Sequence, residues 1–490
     1  MTDRVRIEKL STGVVGLDDA LGGGIPELSF TLIAGGPGAG KTTLAHQLMF
    51  GMASEARPAL YITILGEPPI KMLRYQQQFT FFDAAKIPQC IRFLHLGAEL
   101  LEHGIEAVLT QIVREVEQTA PGLVFVDSFR AIANKSQEPG QMELQSFVQR
   151  LSLHLTSWEA TTFLVGEYEE RDAESTAIFT VADGIVWLSQ ATSRNSVVRK
   201  LQILKLRGQA TIPGLHTVKI SDDGLRVFPR IANPQRRSAP PSEERIRRSV
   251  GSPQLDAMLG GGIPAGYSIL IAGPSGSGKT VLATQFLRAG IAEGERGVLA
   301  VFETPPDDYL ATAPDGASLT QLVAEGKLLV LYLRPLDLSV DETMDAIASA
   351  VQRTGATRIV IDSLMGLELA LAPSFREDFR ESLYRMVGAL TALGVTVVMT
   401  AELTNSFFEL ALSPHEISFL TDGIIVQRYV EMRGELLRLL FVAKLRALPH
   451  SKALRLYEVT RDGIALGESV ANYDGLLTGF VRLAPSLDDE

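Results

Sequence analysis

The sequence contains a single cysteine, no clustered metal ligands and no long apolar run. Because Cys90 has no second cysteine to pair with, an intramolecular disulfide is excluded and nothing requires an oxidising compartment. The seven histidines are scattered without Cys/His ligand spacing, which excludes a structural zinc site. Apolar segments such as YSILIA and VTVVM have the length of strands, and the opening MTDRVRIEKL has no signal-peptide core. We therefore expect a cytoplasmic protein that does not enter a membrane.

The chain also lacks an excess of positive charge. Its 490 residues include 46 Lys+Arg and 57 Asp+Glu, a net charge of −11. This balance disfavours a protein that constitutively binds nucleic-acid phosphates, although a local basic groove is compatible with it. Apolar residues at 46% and charged residues at 21% are typical of a globular protein and exclude disorder.

The chain is an internal duplication. The segment GLDDALGGGIP at 16–26 returns as QLDAMLGGGIP at 254–264, and GGPGAGKTTLAHQ at 35–47 returns as GPSGSGKTVLATQ at 273–285. Two shorter matches, LVFVDS with IVIDS and ILKLRG with VAKLRA, keep the same order at nearly the same offset. We predict domains at 1–232 and 250–490, joined by a Pro-, Ser- and Arg-rich linker at 233–249. Its arginines are typical of a solvated linker, and a nucleic-acid patch is the alternative.

Each copy alternates short apolar runs with longer helix-compatible stretches. The first five runs of each copy are continuously apolar, as expected of strands covered on both faces. The fold class is therefore α/β: two tandem domains, each a mainly parallel twisted sheet flanked by helices. We expect the last pair of strand candidates, DGIVWLS with VRKLQILKL and DGIIVQR with LLRLLFVAKL, to form an antiparallel extension.

Both copies carry a complete phosphate-binding loop of the form G-x-x-x-x-G-K-[ST], between a predicted strand and a predicted helix. Glycines let successive N–H groups turn toward phosphate oxygens, the helix N-terminus adds positive charge, and the lysine reaches the β- and γ-phosphates. The LGGGIP segments lack the Lys-Thr pair and are predicted to be tight turns. The predicted nucleotide-binding residues are Gly36, Gly38, Ala39, Gly40, Lys41, Thr42 and Thr43 in the first copy, and Ser275, Gly276, Ser277, Gly278, Lys279, Thr280 and Val281 in the second.

Each copy also has an aspartate at the end of an apolar strand. Asp127 and Asp362 are placed to hold the water shell of a Mg²⁺ ion opposite the loop hydroxyls of Thr42 and Thr280. A strand-terminal aspartate that caps the following helix is the alternative interpretation.

Hydrolysis of a bound nucleotide also needs a group that orients water. Glu67 and Glu303 follow the second predicted strand of their copies and are the predicted catalytic bases, with exposed turn residues as the alternative. Glu167 and Glu402 follow the fifth strand, where a phosphate-sensing or water-positioning group could act.

These motifs together resemble the KaiC-type proteins of the RecA-like ATPase superfamily. The resemblance covers nearly the whole chain through STGVVGLDDALGGGIP, the phosphate loops, FVDS and IDS, KLRG, and YVEMRGELLRLLFVAKLRA. It implies a homo-oligomer, a hexameric double ring with ATP bound between neighbouring subunits.

A ring of this kind lets one subunit complete the site of another. The loop lysine and aspartate neutralise one side of the γ-phosphate, so a cation supplied by the neighbour stabilises the other side. Lys205 with Arg207, and Lys444 with Arg446, are the predicted cations, because K-x-R in a strand directs both charges to one face. A solvated strand edge protected by lysine is the alternative.

The resemblance further implies slow ATP hydrolysis in the first ring and autophosphorylation in the second. In SPHEISFLTDGIIV, Ser418 matches the first acceptor position, whereas Phe419 has no hydroxyl at the second. Thr421 is another hydroxyl nearby that is less well aligned, and Ser418 as a loop or cap serine is the alternative. A KaiB-like or signalling protein is the implied partner. An activator recruited by the longer tail of clock members is not expected, because VRLAPSLDDE ends the sequence soon after LLTGF.

The predicted function is therefore that of an ATPase ring with Ser/Thr autokinase activity that acts in nucleotide-gated or clock-like signalling, using ATP and Mg²⁺. Two alternatives stay open. A RecA-like DNA-dependent ATPase shares the loops, but the net charge and the absence of a basic-aromatic segment disfavour it. A nucleotide-dependent assembly scaffold is favoured by the single candidate glutamate per site.

Overall fold

The protein folds into two units of the same architecture. The computed structural model describes residues 7–64, 69–127, 149–151, 153–154, 159–169, 172, 177–193, 196–230, 246–313, 316–333, 339–371, 379–403, 420–432, 434–477 and 482–483. The chain divides into compact units at 1–230 and 231–490. Residues 233–245 of the predicted linker lie outside the described residues. Its last residues are folded, because Arg247–Arg248 pair with Ile263–Pro264 inside the second unit.

In the part of the chain that the structure describes, each unit is built on a nine-stranded sheet; the first unit also has one two-stranded sheet and the second unit has two. The strands of the first unit are β1 Lys9–Leu10, β2 Ile25–Pro26, β3 Phe30–Gly35, β4 Ala59–Thr63, β5 Ile91–His95, β6 Leu123–Asp127, β7 Thr161–Glu167, β8 Gly184–Ser193, β9 Ser196–Leu206, β10 Leu215–Ser221 and β11 Gly224–Phe228. Those of the second are β12 Arg247–Arg248, β13 Ile263–Pro264, β14 Ser268–Gly273, β15 Gly297–Val301, β16 Leu328–Tyr332, β17 Arg358–Asp362, β18 Thr396–Glu402, β19 Gly423–Met432, β20 Glu435–Leu445, β21 Arg455–Thr460, β22 Gly463–Ser469, β23 Tyr473–Asp474 and β24 Arg482–Leu483.

Helices cover the two large sheets. In the first unit they are α1 Leu17–Leu21, α2 Lys41–Met52, α3 Pro69–Gln76, α4 Lys86–Gln89, α5 Gly97–His103, α6 Ile105–Thr119 and α7 Ala177–Val181. In the second they are α8 Pro253–Met258, α9 Lys279–Ala292, α10 Pro306–Thr312, α11 Gly316–Ala324, α12 Val340–Thr354, α13 Leu364–Ala370 and α14 Phe379–Ala392. Among the described residues, none of these helices is long and apolar enough to cross a membrane.

The predicted antiparallel extension is larger than expected. The first sheet has the order β11-β10-β9-β8-β3-β7-β6-β4-β5. Strands β8 and β9 are antiparallel to each other, as predicted for the last pair, and β8 itself runs parallel to β3. Strands β10 and β11 complete the extension as a hairpin that was not predicted, although Asp222-Asp223 in its turn, followed by Gly224, is a recognisable turn signal. The second sheet repeats this order with β19 to β22.

The continuous apolar runs are buried on both faces, as predicted. Along β3, Leu32 packs into the apolar cluster on one face of the sheet and Ile33 into the cluster on the other. Along β14, Leu270 and Ile271 do the same. This burial fixes the carboxyl ends of the parallel strands, where each phosphate loop begins.

Candidate functional site

The first phosphate loop joins β3 to α2. Gly38 and Gly40 have φ values of 73° and 102°, in the left-handed region that glycine adopts without a steric cost. The N-cap residue of α2 is Gly40, which has no side chain to cap the helix, so the N-terminus of α2 is arranged as in helices that bind an anion. The loop opens onto a cavity of about 290 Å³ that Lys41, Thr42 and Asp127 help to line.

The loop lysine lies in this cavity. Lys41 Nζ donates to Gly36 O at 2.7 Å and lies 4.0 Å from Glu167 Oε1. Since Glu167 ends β7 next to the loop, the glutamate after the fifth strand is brought to the phosphate site. Glu67, the predicted base of this unit, lies outside the described residues.

The strand-terminal aspartate of the first unit is next to the loop hydroxyl. Asp127 Oδ2 accepts hydrogen bonds from Thr42 Oγ1 at 3.1 Å and from Tyr61 Oη at 2.8 Å. Burial raises the pKa of Asp127 above its usual range, and these two hydrogen bonds oppose that shift.

The second site repeats this arrangement in a cavity of about 470 Å³. Lys279 Nζ donates to Pro274 O at 2.8 Å, and burial lowers the pKa of this lysine. Asp362 Oδ2 accepts from Thr280 Oγ1 at 2.9 Å and from Tyr309 Oη at 2.7 Å. Asp362 Oδ1 accepts a further hydrogen bond from Thr400 Oγ1.

Both predicted glutamates of the second unit line this cavity. Glu303 Oε1 accepts a hydrogen bond from Ser363 Oγ at 3.1 Å, which fixes the carboxylate beside the end of β17. Glu402 ends β18, the position that corresponds to Glu167. The second site therefore combines a loop lysine, a strand-end aspartate and a carboxylate that a serine hydroxyl orients.

The residues of both sites fit a magnesium ion. Threonine hydroxyl and aspartate carboxylate oxygens are the ligands Mg²⁺ prefers, with water and phosphate oxygens completing its shell. Within the described ranges no group of three or more His, Cys, Asp or Glu forms an all-protein cage. Thr42 with Asp127, and Thr280 with Asp362, would hold the ion together with nucleotide phosphates.

The predicted Lys/Arg pairs lie at the opposite end of each sheet from the phosphate loop. On β9, Arg199 pairs with Gln190 of β8, and its Nε donates to Gly38 O of the phosphate loop at 3.4 Å. Lys205 of β9 pairs with Ile185, which is near the start of β8. Six residues of strand separate Arg199 from Lys205, which is about 20 Å. Lys205 therefore cannot reach the phosphate loop of its own unit.

The second unit has the same geometry. On β20, Arg438 lines the cavity of about 470 Å³, and Lys444 pairs with Ile424 near the start of β19. Lys444 Nζ donates to Thr421 O at 2.7 Å. Both Lys444 and Arg446 are thus remote from the loop of their own unit.

Both pairs are held by contacts at this end of the sheet. Lys205 Nζ donates to Thr180 O at 3.0 Å, and Arg207 Nη1 is 3.0 Å from Asp183 Oδ1. Burial lowers the pKa of Lys205 and of Lys444. Because β9 ends at Leu206 and β20 at Leu445, both arginines follow their strands, so the strand-alternation argument for a shared face is wrong for them.

Five residues at the sites were not predicted from the sequence: Tyr61, Tyr309, Thr400, Arg199 and Arg438. The two arginines were detectable, since they are 239 positions apart, the same offset that relates Lys205 to Lys444. The two tyrosines gave no such signal, because they occupy positions that do not correspond in the two copies.

The fold and both sites define a protein of two tandem RecA-like P-loop ATPase units. The sequence model of the KaiC ATPase family matches residues 10–232 and again 249–471. The chain belongs to this family.

Full-length relatives agree with this assignment. The chain is 27% identical to the circadian clock oscillator protein KaiC of Nostoc sp., with 96% of this chain and 92% of the relative aligned. It is 28% identical to the circadian clock protein KaiC3 of Synechocystis sp., over 96% of this chain and 94% of that protein. It is also 28% identical to the circadian clock oscillator protein KaiC of Parathermosynechococcus lividus, over 96% and 88%.

Proposed function

We propose that this protein is a ring-forming ATPase in which each nucleotide site is completed by the neighbouring subunit. The observation that supports this most is the separation of about 20 Å along β9 between Arg199, which contacts the phosphate loop, and Lys205. A cation that cannot serve its own site can serve the site of another copy when subunits pack head to tail in a closed ring. A hexamer with two tiers is the arrangement we infer from the KaiC family.

The proposed chemistry uses groups that the site holds in place. Amides of the two phosphate loops bind the triphosphate, and Lys41 and Lys279 neutralise its β- and γ-oxygens. A bound Mg²⁺ would supply further charge neutralisation at the phosphates. In the second site Glu303 orients the attacking water or accepts a proton from a hydroxyl. In the first site we assign the corresponding role to Glu67.

We further propose that the second tier phosphorylates Ser418. Ser418 lies outside the described residues, three positions before Thr421, whose carbonyl accepts the hydrogen bond from Lys444. If Lys444 serves the nucleotide of the neighbouring subunit, the chain just before Thr421 is carried to that same site. The hydroxyl oxygen would attack the γ-phosphorus, the bond to the β-phosphate oxygen would break, and the proton would pass to Glu303 of the subunit that holds the ATP.

Intact-mass measurement after incubation with Mg-ATP tests this transfer. We expect a gain of one phosphate in the parent chain and no gain in Ser418→Ala. Thr421→Val is the matched control, because it removes the nearest hydroxyl of the described residues, and it should keep the gain. A phosphate that persists in Ser418→Ala would refute the assignment, and so would the absence of any gain in a chain that hydrolyses ATP.

The proposed role is slow, nucleotide-gated signalling, with a KaiB-like or other signalling protein as the partner. In such a protein the nucleotide state changes the contacts between subunits and so the surface offered to a partner.

A further inference from the structure

A buried tyrosine hydroxyl donates to the strand-end aspartate in both units. Tyr61 Oη lies 2.8 Å from Asp127 Oδ2, and Tyr309 Oη lies 2.7 Å from Asp362 Oδ2. The tyrosines are 0% and 9% exposed. In each unit the same oxygen also accepts from the loop threonine.

The two tyrosines reach this oxygen from positions that do not correspond. Tyr61 is the third residue of β4, and the third residue of the corresponding β15 is Leu299. Tyr309 is the fourth residue of α10, and the fourth residue of the corresponding α3 is Met72. Leu299 and Met72 have no hydroxyl. Each unit thus has a tyrosine at one of these two positions and an apolar residue at the other. The position that carries the tyrosine differs between the units, but in both units the tyrosine contacts the aspartate.

The tyrosine hydroxyl is needed to hold the carboxylate because the loop threonine is also expected to bind the metal ion. Thr42 and Thr280 are the expected ligands of the magnesium ion, so their oxygens must turn toward the metal when it binds. The tyrosine has no such role and can donate to the carboxylate with the ion present or absent. A carboxylate with a fixed orientation loses less conformational freedom when it takes up the water shell of the ion.

We infer that Tyr61 and Tyr309 are positioning residues of the two magnesium sites: each hydroxyl fixes the orientation of the carboxylate that holds the ion, an inference that rests on the proposed Mg-ATP sites. The effect differs between the units. Asp362 has an additional donor in Thr400, the fifth residue of β18, whereas the fifth residue of β7 is Val165. The first site should therefore depend more strongly on its tyrosine.

Magnesium titration of nucleotide binding tests the inference. Full-length chains with Lys279→Ala report on the first site and those with Lys41→Ala on the second. Binding of a fluorescent ADP analogue is followed as Mg²⁺ is added, and again in EDTA. Tyr61→Phe should raise the midpoint Mg²⁺ concentration about tenfold, and Tyr309→Phe about threefold, because a hydrogen bond to a charged group is lost.

The double variant Tyr309→Phe with Thr400→Val should shift the second site by about tenfold. Tyr332→Phe is the matched control in the second unit: Tyr332 ends β16, lines neither cavity, and should leave the midpoint unchanged. Affinity in EDTA should not change in any variant, whereas a purely structural role would weaken binding in EDTA as well.

The outcomes separate this inference from the proposed function. The parent chains of this test are Lys279→Ala and Lys41→Ala without a further substitution. If nucleotide binding to both of them is independent of Mg²⁺, the proposed Mg-ATP sites are wrong and the inference is wrong with them. If the parent chains respond to Mg²⁺ and the phenylalanine variants have the same midpoints, the sites stand and the positioning role is overturned.

Discussion

Removing Arg207 should disable the first nucleotide site of the neighbouring subunit and leave the site of its own subunit able to bind. Arg207 follows the end of β9 that lies about 20 Å from Arg199, the residue of β9 that contacts the phosphate loop. Within its own subunit, Arg207 makes a weak ion pair with Asp183, because the Arg207 side chain is 61% exposed. Loss of such a pair costs at most about 1 kcal/mol, so Arg207→Ala should fold.

The size of the effect follows from what a trans-acting cation supplies. An arginine that stabilises the transferring phosphoryl group accelerates related enzymes by about 10³-fold or more. Arg207→Ala, in a chain whose second site is silenced by Lys279→Ala, should therefore lose nearly all hydrolysis while it still binds ATP. Arg150→Ala removes an exposed arginine that pairs with Glu106 and is the matched control with unchanged activity.

Mixing two inactive chains gives the decisive assay. Both chains carry Lys279→Ala. The Arg207→Ala chain keeps an intact first phosphate loop, and the Lys41→Ala chain keeps the Arg207 cation. In equimolar mixed rings about one interface in four joins a working loop to an intact cation, so about a quarter of the parent hydrolysis should return. No recovery on mixing, with mixed rings present by native mass spectrometry, would refute completion by the neighbour. Hydrolysis by Arg207→Ala alone at the parent rate would refute it too.

Two further predictions concern stability. Burial lowers the pKa of His46 to about 4, whereas its value in the unfolded chain is near 6.5. Between pH 6.5 and pH 4 the unfolded chain therefore binds a proton at His46 that the folded chain does not, so the folded state loses stability as the pH falls through this range. Urea unfolding should show roughly 2 kcal/mol lost between pH 7 and pH 5 through this residue, and a His46→Leu variant with an equal loss would refute it. Ala447 has a φ of 57°, whereas its counterpart Gly208 has 86°. Ala447→Gly should therefore raise the thermal midpoint of the second unit by an amount worth up to about 1 kcal/mol. Gly208→Ala should lower that of the first unit, because a Cβ is strained at a φ of 86°. The opposite signs would contradict this.

The parts of the protein that sequence predicted well are those set by local pattern. The phosphate loops needed only glycine and lysine at fixed spacing, and Asp127 and Asp362 needed only the end of an apolar run. The continuous apolar runs predicted the two-sided burial of β3 and β14 because no polar face is available along them.

What the sequence could not predict depends on which residues meet in three dimensions. Tyr61 reaches Asp127 across 66 positions, and Tyr309 reaches Asp362 across 53, from elements that do not correspond in the two copies. The direction of β8 relative to β3 was not predicted, since its run of apolar residues suits either orientation. The placement of Lys205 at the far end of the sheet follows only from that strand order.

The central claim is that each chain holds two nucleotides, one in each phosphate loop. Bound nucleotide per chain, measured after gel filtration in Mg²⁺ and a non-hydrolysable ATP analogue, tests this most directly. The account predicts two per parent chain, one in Lys41→Ala and one in Lys279→Ala, and none in the double variant. Full occupancy of two in either single variant, or an occupancy of one in the parent, would contradict it.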